Sequence, residues 1–289
     1  MSRLRFCLFL LILTVPVSRP TSAKVAPAAK PAAAVQTLTY SVYAGGINVL
    51  TAKIDLDDST PGRYHVILSA WTQGLLGKLV PWKGSFETEG WRLKDGAETP
   101  EIYKSSSVWH KKEEIKQFTY GRDGKFVGFK KTEAGKDTTP KTFDQKLADG
   151  TTDSLTATLL VMDKVGRGEK CEGSRDVFDV LRRFKLIFHD GGEENLDKTN
   201  YNVYAGAAKL CTVEVAPDGG LWHEKPRGWL SIQEQGRQKG SLPAVWMAKI
   251  GNSGPALPVK IRVVTDYGTL FMQLSDYQAA AALPTNSKP

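Results

Sequence analysis

The stretch LTYSVYAGGINVLTAKIDL, residues 38–56, decides the fold. Apolar and polar side chains alternate on both sides of Gly45-Gly46, so each arm turns one face to a core and the other to water. The double glycine supplies the positive backbone angles that a tight hairpin uses. The stretch therefore reads as two strands and a turn. The same pattern recurs in RYHVILSAWTQ (residues 63–73), after the turn signal Ser59-Thr60-Pro61-Gly62. SFETEGWRL, EIYKSSSVW, EIKQFTYG and GKFVGFKK follow, the last two divided by Gly121-Arg122-Asp123-Gly124. Further on come VFDVLRRFKLIF, TNYNVYAG, KLCTVEV, AVWMAKIG, PVKIRVVTDYG and TLFMQLSDYQ. Short strands with turn chemistry roughly every 8–12 residues predict a mainly β chain: one domain of many short antiparallel strands, forming a curved sheet or half-open barrel.

One segment departs from period two. DGTTDSLTATLLVMDKVGRG places Leu155, Leu159 and Met162 at helical spacing, opens on Thr151-Thr152-Asp153 as candidate caps and stops at Gly166. It predicts the main helix, near residues 153–164, laid on or inside the sheet to cover apolar surface. Seven tryptophans are spread along the chain, several beside glycine or proline. Such side chains fill β cores or line apolar clefts, and their dispersal favours core filling.

The N-terminus reads MSRLRFCLFLLILTVPVSRPTSA. Arg3 and Arg5 precede an apolar run at residues 6–17, and Thr21-Ser22-Ala23 offers small residues for cleavage, so residues 1–23 read as a signal peptide cut after Ala23. Cys7 lies within the apolar run and does not suit a lipid anchor. Residues 24–36, almost all Ala, Pro, Lys and Val, read as a flexible segment. Residues 37–278 form the expected single β-rich domain and residues 279–289 a tail. No other stretch has the ~20 apolar residues of a spanning helix, so no transmembrane segment is expected in the mature chain. The expected location is the periplasm.

The formal charge of +8 loses three arginines and no acid with the leader, leaving +5 on a long chain. Lysines are scattered apart from Lys111-Lys112 and Lys130-Lys131, which argues against a nucleic-acid footprint.

Catalytic signatures are sparse. There is no Gly-x-Ser-x-Gly elbow. Gly74-Leu75-Leu76-Gly77-Lys78 lacks the spacing and the final hydroxyl of a phosphate loop and reads as a hairpin or short turn. His65, His110, His189 and His223 stand far apart, and His110 near Glu113 and Glu114 reads as a solvated face. The sequence therefore points to no catalytic, cofactor-binding or metal-binding residue.

After leader removal, the cysteines are Cys171 and Cys211. In an oxidising compartment this even count predicts a disulfide, whose closed loop contributes roughly 3–4 kcal/mol in the chain-entropy picture. Cys-x-x-Cys spacing and a four-ligand zinc set are both missing.

The helix with Asp153-Ser154-Leu155-Thr156-Ala157, a glycine-containing link, VFDVLRRFKL with Arg182-Arg183, a cysteine on a later strand and LPVKIRVVTDYG together resemble a family of exported proteobacterial proteins, domain of unknown function 3108. The likeness spans most of residues 38–277. It implies a periplasmic, β-rich protein with no assigned enzymatic activity, and it singles out Asp153, Ser154, Arg182 and Arg183 without giving them roles. The ordinary reading of these residues is a helix cap and bridges to carboxylates across a sheet. This chain departs from the family pattern at Asp179-Val180, where Asp-Gly is usual. Curved half-barrel sheets of periplasmic lipoprotein carriers and of cell-envelope integrity proteins are a looser, fold-level analogy.

Two function classes follow. One is a non-enzymatic envelope protein whose curved sheet binds a lipid, peptide or protein partner and supports envelope assembly or integrity. The alternative is a periplasmic hydrolase of glycan or lipid. A long apolar groove would favour the first, and two carboxylates facing across a polar cleft the second.

Overall fold

The computed structural model describes residues 34–281 except positions 95, 227, 252, 253 and 267. The leader and most of the Ala/Pro segment lie outside the described residues. The first half carries β1 (Ala34–Ala44), β2 (Ile47–Asp57), β3 (Arg63–Thr72), α1 (Gly74–Leu79), β4 (Trp82–Arg92), β5 (Glu98–Trp109), β6 (Lys112–Tyr120), β7 (Phe126–Glu133) and β8 (Lys136–Asp137). A 3-10 turn (Gln145–Ala148) leads to α2 (Ser154–Gly166), β9 (Gly173–Phe178), β10 (Arg182–Leu196) and β11 (Gly206–Gly220). α3 (Trp229–Gln238), β12 (Ala244–Ala248), β13 (Leu257–Thr265) and β14 (Gly268–Ala281) complete the chain.

All fourteen strands join one open sheet in the order β8-β7-β6-β5-β4-β3-β2-β1-β14-β13-β12-β11-β10-β9. Every ladder is antiparallel, and the two meanders meet where β1 pairs with β14. Register shifts interrupt several ladders, at Thr39/Tyr40, Glu89/Gly90 and Trp246/Met247 among others. Each inserted residue bends its strand and raises the twist, and so many strands in one sheet must coil. At Gly90 the coil is tight enough that a Cβ would stand 2.2 Å from the Thr99 carbonyl oxygen and 2.5 Å from the Tyr64 hydroxyl. The margins face each other through side chains rather than a ladder. Phe178 of β9 has its ring 6.2 Å from Phe118 of β6 and 5.4 Å from Phe126 of β7, with Phe143 wedged alongside.

α2 lies inside this curl. Its Ala157, Leu159, Val161 and Met162 are buried in the main core, and it touches β4 and β5 from one half and β9, β10 and β12 from the other. Cys171 and Cys211, both fully buried, form the disulfide, with Cα atoms 5.8 Å apart. It spans β10 at Asp190, which pairs with Cys211 and accepts the Cys171 amide proton.

Several readings of the sequence need correction. The run at residues 177–188 is two strands, because a turn at residues 179–181 cuts it. Val180 takes a φ of 78° there, supplying the left-handed residue that glycine usually provides at the first loop position of such a hairpin. TNYNVYAG is a loop up to β11, held by Thr199 and Asn202 side chains that cap local amides. Residues 74–79 are a helical turn. β1 starts at Ala34, inside the segment read as flexible, and β14 reaches Ala281 in the segment read as a tail, because the two ladders pair Ala34 with Ala281.

Candidate functional trough

Alternation along β2 and β3 places Leu50, Ala52, Ile54 and Leu56, then Val66, Leu68 and Ala70, on one inner wall. Leu155, Leu159 and Met162 of α2 face them, and Val245, Met247 and Ile261 of β12 and β13 close the far side. The result is a cavity of about 370 Å³ whose lining is almost wholly apolar, within the ~300–1,000 Å³ range of small-molecule sites.

Leu68, Leu155, Thr158, Leu186 and Trp229 also line a second hollow of about 640 Å³, which makes the two one trough with a wider mouth. β10 supplies the row that leads outward: Phe188, Leu186, Phe184 and Arg182, every second residue, face the trough. Trp222 and Trp229 flank the opening, and Ser154 and Thr158 add hydroxyls from the first two turns of α2. Arg182 is stacked 4.9 Å from the Trp222 ring centre and bound through Nε and Nη2 to Asp179, at 3.0 and 2.5 Å. Asp179 is the single carboxylate among the described lining residues. The mouth thus presents a planar cation on an aromatic face at the end of an apolar channel, an arrangement able to fix the polar end of a mostly apolar molecule.

The family-motif residues separate into three positions. Ser154 and Arg182 both line the mouth. Arg183, one residue on, points to the outer face, where it binds Asp176 at 2.6 Å and Asp218 at 3.1 Å. Asp153 sits behind the mouth as the cap of α2, out of contact with water. Its Oδ1 accepts the amides of Leu155 and Thr156, and its Oδ2 accepts the hydroxyls of Thr156 at 2.6 Å and Thr88 at 3.0 Å. The Tyr64 hydroxyl joins through Thr156 at 2.8 Å. Burial pushes the Asp153 carboxyl up and these donors hold it down, with burial the larger effect.

A second polar cluster lies apart from the trough. Arg92 binds Glu98 at 2.8 Å, Asp163 of α2 at 2.5 Å and Asp58 at 3.0 Å, tying the helix to the sheet. Burial and the neighbouring Asp163 carboxylate push Glu98 up to about 8. Among the described residues no group of three or more His, Cys, Asp or Glu side chains is placed to hold a metal ion. Nor is any described helix long and apolar enough to cross a membrane.

The tryptophans are used differently from the expected core filling. Trp246 is buried, Trp222 and Trp229 border the trough, and Trp109 is half exposed. The apolar rows of β2, β3 and β10 were visible in the sequence as alternation. That they share one cavity with α2 was not, since it depends on the coil of the whole sheet.

An open, coiled antiparallel sheet around a helix and an apolar trough defines the class of protein. The family described as a protein of unknown function (DUF3108) matches residues 39–275, and the chain belongs to it. No curated protein matches. Among solved structures the chain is similar to a beta-barrel-like protein of domain of unknown function DUF1849 from Brucella abortus. Identity is 11%, the match covers 87% of this chain and 99% of that one, and the TM-score is 0.48.

Proposed function

We propose that this is an exported, periplasmic, non-enzymatic envelope protein that holds an apolar chain, of the kind a lipid carries, in the trough and supports envelope assembly or integrity. The observation that carries the reading is the continuity between a nearly all-apolar cavity of about 370 Å³ and a mouth bearing Arg182, Trp222 and Ser154. Burial of acyl methylenes supplies ~0.8 kcal/mol each. General acid–base hydrolysis of a glycan would draw on a second titratable group across from the first. Asp179 is the one carboxylate among the described lining residues and is already neutralised by Arg182, which favours binding.

Leu155 lines both parts of the trough, so Leu155→Arg should abolish displacement of a fluorescent fatty acid. Trp229→Ala, on a partly exposed side chain, should weaken it while leaving thermal unfolding unchanged. Unaltered binding in both variants would place the ligand elsewhere.

A further inference from the structure

The antiparallel order sends the β1–β2, β3–β4, β5–β6 and β13–β14 connections of neighbouring strands out at one end of the sheet. Ile47, Leu75, Leu79 and Trp109 stand on the first three of these, exposed by 70%, 72%, 67% and 50%. α1 is the clearest case: none of its residues is buried, although three of its six are leucines. It is nevertheless held in place. The Gln73 amide donates to Val49, the Gly77 amide donates to Gln73, and a Cβ on Gly77 would press within 2.8 Å of the Thr72 carbonyl oxygen. A fixed helical turn that buries none of its leucines has its apolar side available to something outside the chain.

The tips themselves carry positive charge, and the first acid beyond them is Glu113 on β6, near Lys83. In residues 73–83 and 109–112 the charged side chains are Lys78, Lys83, Lys111 and Lys112. Trp109 adds an amphipathic ring of the kind enriched where hydrocarbon meets water. Leu181, Leu221 and Trp229, also exposed, stand beside the mouth of the trough. Both ends of the described chain, Ala34 and Ala281, pair with each other at the opposite end. Val127, Tyr201 and Val203, which are also exposed, lie at that opposite end too.

We propose that the end of the molecule formed by α1 and the β1–β2 and β5–β6 turns docks on an anionic lipid bilayer, with Leu75, Leu79 and Trp109 entering the headgroup layer and the four lysines meeting lipid phosphates. Separate apolar tips suit a fluid layer that closes around each of them. Apolar insertion combined with lysines near anionic lipid is how surface-bound proteins hold to membranes. Docking does not depend on an occupied trough, and fatty-acid displacement in solution reads the trough separately, so either claim can fail alone.

The test is sedimentation of the full chain with vesicles of phosphatidylethanolamine and phosphatidylglycerol. Every variant carries the parent's N-terminal segment, so differences report the docking end alone. The parent should bind, more weakly at high salt or on phosphatidylcholine. Leu75→Ser/Leu79→Ser/Trp109→Ser should lower partitioning by at least about tenfold, and Lys78→Glu/Lys111→Glu should remove the preference for anionic vesicles. Val127→Ser, at the other end, should bind like the parent. Unchanged thermal unfolding confirms that the variants are folded, since all of these side chains are at the surface. Failure of the parent to sediment, a triple variant that binds equally well, or an equal loss in Val127→Ser would overturn the proposal.

Discussion

The carboxylate of Asp153 takes two amide protons at the start of α2 and two hydroxyl protons from Thr88 and Thr156. Removing it withdraws a helix cap, worth ~1 kcal/mol, and strands buried donors at ~1–3 kcal/mol. Asp153→Ala should therefore destabilise the domain by about 3 kcal/mol in urea unfolding, and Asp153→Asn, which keeps an acceptor for the amides, by about 1 kcal/mol. Glu98 makes a different prediction, because its folded pKa is raised to about 8 and its unfolded value is near 4.3. The folded state holds the proton more tightly, so this contribution is full below the unfolded value and is lost as pH rises through about 8. Parent stability should fall relative to Glu98→Gln between these limits, by at most ~1.4 kcal/mol per pH unit. A parallel pair of pH–stability curves would show that Glu98 is ionised in the fold. Of these two residues, Asp153 was legible as a cap from its place before an apolar stripe. The Glu98–Arg92–Asp163 cluster was not, since strands and helix meet there across a sequence separation of 71 from Arg92 to Asp163.

Elements that follow one periodicity were readable, and those built on polar contacts were not. α2 was found by Leu155, Leu159 and Met162, and runs one turn's fraction further, to Gly166. α3 is not legible in the sequence because its inward residues are Gln233 and Gly236 rather than an apolar stripe. The Gln233 amide accepts the Val215 amide proton at 2.6 Å and donates to its carbonyl at 3.0 Å, standing in for a strand neighbour. Gln233→Leu should leave those two backbone groups unpaired and cost about 2 kcal/mol, measured by urea unfolding. The β9–β10 turn was hidden for another reason. Val180 is buried in the aromatic cluster, so it extends the apolar pattern while adopting the angle of a glycine. The disulfide joins the link after α2 to β11 across a sequence separation of 40. Cys171→Ser/Cys211→Ser should lower stability by roughly 3–4 kcal/mol, and thiol titration of the denatured, unreduced protein should find neither thiol free.

At the scale of the molecule, a run of alternating strands predicted a curved sheet, and the sheet is open, with fourteen strands coiled about one helix. How far it would coil lay beyond any local pattern, because it depends on register shifts in many ladders and on phenylalanines brought together from β6, β7, β9 and the segment near residue 143. That coil leaves a cavity beside α2, lined by the inner faces of β2, β3 and β10, where closer packing would have filled the space. The central claim is that an apolar chain occupies this space. Native mass spectrometry of the protein purified gently from its host, read beside displacement of a fluorescent fatty acid, tests it directly. The account predicts a co-purifying mass of lipid size that is lost, along with displacement, in Leu155→Arg. An empty parent protein that neither carries nor takes up the probe would contradict it.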